Sequence, residues 1–264
     1  MPAPPPPPAA TAFPVPAPGA PSAVPPPRPA PALTSPAPGS PALPAGAWRE
    51  WTDQPVFSIV RVQIRDERAF GDYLAGHLPT IGAFGGRFLA AGAMPQPVEG
   101  EWPMRRMIVH QWPSAQVFFQ WYEGSPYAPW RQLRQRAAET EMVLVQGIAS
   151  SAPAATVPPA LVILDVAVRD DAAFARQVQG HLPGLRAAGG EVLAAGGHFQ
   201  VIEGQQWQPR RIELQRWPSA TAFRGWYDSL AYRPWRDLRW SASQADMALL
   251  EGLSEAQKSE RRMP

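Results

Sequence analysis

Residues 56–64 read Val-Phe-Ser-Ile-Val-Arg-Val-Gln-Ile and residues 161–168 read Leu-Val-Ile-Leu-Asp-Val-Ala-Val, two β-branched and aliphatic runs of strand length. After each run the apolar spacing becomes helical. Ala69, Phe70, Tyr73 and Leu74 follow Asp66, and Ala173, Phe174 and Val178 follow Asp170, with the aspartates placed as N-caps. Pro79 and Pro183 predict a kink or restart, because proline removes a helical donor. Gly85-Gly86 and Gly189-Gly190 then end the helix and lead into short strands over 87–91 and 191–195. Third strands are expected over 105–112 and 210–217. Ser114 and Ser219 suit N-caps of a helix carrying Phe118, Trp121 and Tyr122, or Phe223, Trp226 and Tyr227. A further helical piece starts near Tyr127 or Tyr232, with Pro129 or Pro234 tolerated in its first turn. Met142–Gln146 and Met247–Glu251 read as closing strands.

These parallels reflect an internal duplication. Gly-His-Leu-Pro at 76–79 recurs at 180–183, a displacement of 104 residues, and Leu-Ala-Ala-Gly at 89–92 recurs at 193–196. Glu99-Gly100 matches Glu203-Gly204. One inserted residue later, Trp-Pro-Ser-Ala at 112–115 matches 217–220, and Tyr127, Trp130 and Arg134 match Tyr232, Trp235 and Arg239. So long a period excludes a solenoid and indicates a duplicated domain. The order strand, helix, strand, strand, helix, strand is the split βαβ, ferredoxin-like plan, an α+β fold with helices on one sheet face. The other face needs a cover, and the second copy is the obvious one. The expected product is an intramolecular pseudo-dimer, monomeric as a chain. Arg61 and Asp165 interrupt equivalent strands with opposite charges. They suggest either a direct pair between the copies or separate local partners.

Composition divides the chain further. Residues 1–50 form a Pro/Ala-rich leader with little to bury, expected to be disordered. Pro4 to Pro8 suit a proline-binding module, though a passive spacer is the plainer reading. The repeats then occupy 51–150 and 159–254, with a linker over 151–158 and a charged tail over 255–264. The leader lacks the basic start and continuous apolar stretch of a secretory signal, and nothing approaches a membrane span. A net charge of +2 with interspersed signs gives no nucleic-acid surface, and the absence of Cys rules out disulfides and thiolate metal sites. A reducing cytoplasm is the default location.

At these residues the chain resembles the domain of unknown function 1330 family, within the dimeric α/β-barrel superfamily. The shared features are Gly85-Gly86, Glu99-Gly100, Arg106, Trp112-Pro113-Ser114, Tyr122 with Tyr127, and Leu133-Arg134, repeated as Gly189-Gly190, Glu203-Gly204, Arg211, Trp217-Pro218-Ser219, Tyr227 with Tyr232, and Leu238-Arg239. The resemblance implies two sheets packed face to face, here within one chain. Gly124 departs from the pattern's Ser, and Gln111 and Arg216 stand where a Glu is usual.

The acid–base candidates are His77 and His181, because imidazole exchanges protons near neutrality; a stabilising role at a helix end is the alternative. Arg106, Arg134, Arg211 and Arg239 offer forks for a carboxylate or enolate, or ion pairs with Glu99 and Glu203. Tyr122, Tyr127, Tyr227 and Tyr232 suit either the wall of a ligand site or the core. His110 and His198 are unduplicated and lack ligand spacing, so no metal site is expected, and no cofactor motif occurs. Three function classes follow: a cofactor-independent enzyme on a small carbonyl or aromatic compound, a non-catalytic small-molecule binder, or a structural and assembly module.

Overall fold

Each apolar run forms the strand its pattern predicts, in a computed structural model that describes residues 50–148 and 158–260. Copy one runs β1 (Val56–Ile64), α1 (Glu67–Ala83), β2 (Arg87–Ala93), β3 (Gln96–Glu99), β4 (Arg106–Trp112), α2 (Ala115–Glu123), α3 (Ala128–Ala137) and β5 (Ala138–Gln146). Copy two repeats this as β6 (Ala160–Val168), α4 (Asp171–Ala187), β7 (Glu191–Ala195), β8 (Phe199–Glu203), β9 (Ile212–Trp217), α5 (Ala220–Tyr227), α6 (Arg233–Ala242) and β10 (Ser243–Glu251), then adds α7 (Glu255–Glu260). Residues 1–49 of the expected leader lie outside the described residues, as does most of the linker.

The four predicted caps form. Asp66 and Asp170 each accept the amide N–H three residues on at 2.9 Å, and Ser114 and Ser219 do so at 3.3 and 3.1 Å. The helix does not restart at the prolines: α1 and α4 continue through Pro79 and Pro183 as single elements that end just before the Gly-Gly pairs. Each copy also carries an extra short strand, β3 or β8, which leaves its own sheet. Sheet one has the order β2-β4-β1-β5-β8 and sheet two β3-β10-β6-β9-β7, so each takes its fifth strand from the other copy. Glu99 thereby faces Met247 across β3 and β10, and Glu203 faces Met142 across β8 and β5. Gly100 and Gly204 follow these glutamates with φ of 64° and 86°, the left-handed turn that lets each strand leave at once.

Both copies lie in one compact unit. The helix-free faces of the two sheets bury each other: Phe57, Ile59 and Val143 share one apolar cluster with Leu161, Ile163 and Leu250. Arg61 and Asp165 do not pair. The Arg61 guanidinium is sandwiched between Trp102 and Trp207, 4.6 and 3.7 Å from the ring centroids, and burial lowers its pKa to about 10. Asp165 accepts from the Trp207 indole at 3.2 Å and from Arg210. One indole thus separates the two charges. The tail expected from residue 255 begins as a helix, capped by reciprocal Ser254 and Gln257 bonds of 2.9 and 3.3 Å.

Candidate functional site

In copy one the helices stand off from sheet one and leave a cavity of about 380 Å³. Val60, Val62, Phe70, Phe88, Ile108 and Met142 make most of its wall apolar. Buried Ser58, Tyr73, His77, His110, Tyr127 and Arg134 add polar groups, while exposed Glu67 and Arg106 mark the rim. Of the residues singled out in this copy, His77, Arg106, Tyr127 and Arg134 therefore line one cavity. Tyr122 does not; its hydroxyl goes to Glu203.

His77 hangs from α1 with its ring stacked on Tyr73, centroids 3.9 Å apart. Its Nδ1–H donates to the Tyr73 carbonyl at 2.9 Å. A carbonyl can only accept, so the proton is on Nδ1 and Nε2 keeps a lone pair. Burial pulls the pKa to about 4; the bond to the Tyr73 carbonyl opposes this and the Arg134 charge adds to it. His77 is accordingly a neutral imidazole at pH 7, and Nε2 has no partner among the described residues.

His110 on β4 lies directly opposite Ser58 on β1. The Ser58 hydroxyl accepts from the Trp112 indole at 3.1 Å and sits 3.0 Å from His110 Nδ1. We assign Nδ1 as the acceptor of the Ser58 proton, which has no other acceptor among the described residues, and this puts the His110 proton on Nε2. Burial first, then the nearby His77 and Arg134, lower the pKa to about 3. The Nε2–H is buried and has no partner among the described residues.

Arg134 is committed elsewhere. It donates to both carboxylate oxygens of Glu203 on β8, at 3.0 Å for one bond, and its Nε donates to the Tyr127 hydroxyl at 3.1 Å. Burial raises the Glu203 pKa, but the Arg134 charge and hydrogen bonds outweigh it and hold the carboxyl ionised. Copy two returns the arrangement: Arg239 and Tyr227 donate to Glu99 on β3, joined by the Trp240 indole at 3.1 Å. Both arginines are thus in the ion pairs that the sequence offered as their alternative role.

Elsewhere copy two is built differently. Gln177 replaces Tyr73 and its side-chain amide lies 3.0 Å from His181 Nδ1, which also bonds the Gln177 carbonyl at 2.9 Å. Burial lowers the His181 pKa as well. Val162 and Gln215 replace Ser58 and His110, and Gln215 accepts the Trp217 indole at 3.1 Å. Arg211 is turned back over the Phe174 ring at 5.4 Å and bonds Glu213 at 3.3 Å and the Ala195 carbonyl. The stacking of Tyr232 on Trp226 is shared by both copies, centroids 3.8 Å apart here and 3.9 Å for Tyr127 on Trp121. Ser58 and His110 are the site residues that sequence reasoning missed. Their signal was divergence between otherwise matching positions.

Among the described residues no cluster of His, Cys, Asp and Glu is arranged to hold a metal ion, and no helix is long and apolar enough to cross a membrane. The profile of the family described as Domain of unknown function (DUF1330) matches residues 55–148 and again 159–253. No curated protein matches the chain. Solved structures are similar to the chain at low identity, each with a TM-score below 0.5. A candidate monooxygenase from Lactobacillus acidophilus is 13% identical, over 75% of this chain and 93% of that one, with TM-score 0.47. A chlorite dismutase mutant from Candidatus Nitrospira defluvii is 8% identical, over 79% and 96%, with TM-score 0.48. A protein of unknown function from Rhodopseudomonas palustris is 16% identical, over 39% and 88%, with TM-score 0.34.

Proposed function

We propose, from the premise that this chain belongs to the DUF1330 family through both of its copies, that copy one is a proton-transfer enzyme acting on a small carbonyl or aromatic compound and that copy two is its structural complement. The observation that carries this reading is a neutral His77, with its Nε2 lone pair unpartnered among the described residues, in the wall of a mostly apolar cavity. A base of this kind takes a proton from the carbon next to a carbonyl. The C–H electron pair moves into a C–C double bond, the carbonyl oxygen takes the negative charge, and His77 becomes an imidazolium. Return of the proton to carbon or oxygen completes an exchange or a tautomerisation. Burial disfavours the imidazolium on its own, and the enolate formed beside it offsets that cost, because the two opposite charges interact strongly where water is excluded. The chemistry needs only protons and the residues present, as a cofactor-independent enzyme does.

The test is deuterium exchange. Aryl ketones bearing an α C–H are incubated with the protein in D2O and loss of that proton is followed by NMR. Exchange above the buffer rate should fall on the order of 100-fold or more in His77→Gln, the range expected for one positioned general base. His181→Gln should leave it nearly unchanged. Compounds that bind while exchanging only at the buffer rate would replace this reading with that of a small-molecule binding protein.

A further inference from the structure

The two copies differ at the residues that decide whether a polar ligand can be held. In copy two the indole of Trp217 is satisfied by Gln215, and Val162 fills the place of Ser58. In copy one the same indole goes to Ser58, Ser58 goes to His110, and the chain of hydrogen bonds ends on His110 Nε2–H. A buried donor left without a partner costs about 1–3 kcal/mol, and a shorter solution exists in the sister copy. The second difference is at the rim. Arg211 is tied to Glu213 and Ala195, whereas Arg106 makes no hydrogen bond or ion pair among the described residues and lines the cavity entrance. Glu67 shares that rim unpaired, so a ligand meets one cation and one anion there.

Resting on the reading of copy one as the site, we infer that the ligand is a monoanionic keto acid on an apolar or aromatic body, its carboxylate held at the rim by Arg106 and its ketone oxygen accepting from His110 Nε2–H inside. The planar guanidinium matches a carboxylate in two parallel bonds. The ketone oxygen supplies the acceptor that this donor lacks among the described residues. A dianion is disfavoured by Glu67. The rings of Phe70 and Phe88 and the aliphatic wall take the rest of the molecule.

Calorimetric titration of the full chain tests this without turnover. The probes are 2-oxo-3-phenylpropanoate, 3-benzoylpropanoate and 4-benzoylbutanoate, which vary the spacing of ketone and carboxylate. Their methyl esters and ketone-free 4-phenylbutanoate are the controls. The best keto acid should bind about 10-fold or more tightly than its ester, in keeping with a hydrogen bond to a charged group. Arg106→Gln should abolish that difference and leave the ester unaffected. Ser58→Val with His110→Gln, the pair copy two already folds with, should weaken the keto acid and spare 4-phenylbutanoate. Equal affinity of acid and ester in the unmodified protein, equal losses by keto acid and 4-phenylbutanoate, or no binding by any probe each overturns the inference. Binding as described without deuterium exchange would remove the proton-transfer reading and keep the ligand class. Exchange confined to neutral ketones would do the reverse.

Discussion

His77 and His110 are neutral in the folded chain and become protonated more readily once exposed, which ties the cavity to acid stability. Both have folded pKa values below the usual 6.5, about 4 and about 3, chiefly through burial. The unfolded chain therefore binds more protons below pH 6.5, and stability falls with pH from there down to the folded values. Glu99 and Glu203 have lowered pKa values and add their loss only further down, as pH falls below 4.5. Between pH 7 and pH 5 the histidine contribution should dominate, at up to about 2 kcal/mol for each fully buried ring. Urea unfolding at the two pH values measures it: His110→Gln should flatten the difference, and an unchanged slope would mean that the ring is already protonated or solvated. The acid–base candidate His77 was legible because it recurs at His181. His110 was not, because a position that differs between copies reads as drift until the hydrogen bonds of Ser58 and Trp112 give it a direction.

At the scale of elements, β3 and β8 are what join the copies chemically. Gln96–Glu99 is four residues with a proline, and no periodicity test separates it from a loop. Only the Glu-Gly repeat hinted at a role, and the positive φ of Gly100 and Gly204 explains it: the turn ends the strand once its glutamate has reached the other copy's helices. The caps, strands and helix order were legible because each rests on local chemistry. The strand exchange was not, since which sheet an edge strand joins is decided by the partner's vacant edge. Removing one side of a buried ion pair strands the other, so Glu203→Ala should destabilise the chain by about 3–5 kcal/mol in denaturant titration. Glu99→Ala should cost less, because Glu99 is more exposed than Glu203 and Arg239 more exposed than Arg134. Combined with Arg134→Met, Glu203→Ala should be strongly sub-additive; additive losses would show that the pair contributes no coupling.

At the scale of the molecule, duplication has let one half of a symmetric assembly change without the other. Each half presents a helix-free sheet face, a vacant edge and a protruding strand, so each is self-complementary in outline. A fragment of residues 50–148 can place its own β3 where β8 sits and bring Glu99 to Arg134. The central contacts oppose this. In the native chain Arg61 lies between Trp102 and Trp207, and Trp207 also donates to Asp165, so one cation and one anion share the aromatic pair. A dimer of first copies would put two Arg61 guanidinium groups against two Trp102 rings with no Asp165, and a dimer of second copies would gather two aspartates. Glu141 beside Arg61 and Arg210 on Asp165 stay with their own copies and offset part of the repulsion, and the remainder disfavours pairing like with like. Residues 50–148 and residues 158–260, produced separately, should each self-associate, and mixed they should redistribute mainly into the heterodimer, as read by native mass spectrometry. Arg61→Val in the first fragment should strengthen its homodimer and move the mixture toward a statistical one. A soluble, stable monomer of the first fragment would show that mutual burial of the sheets is not what holds the halves together, and a statistical mixture of unmodified fragments would show that the Arg61–Trp207–Asp165 arrangement does not select the partner.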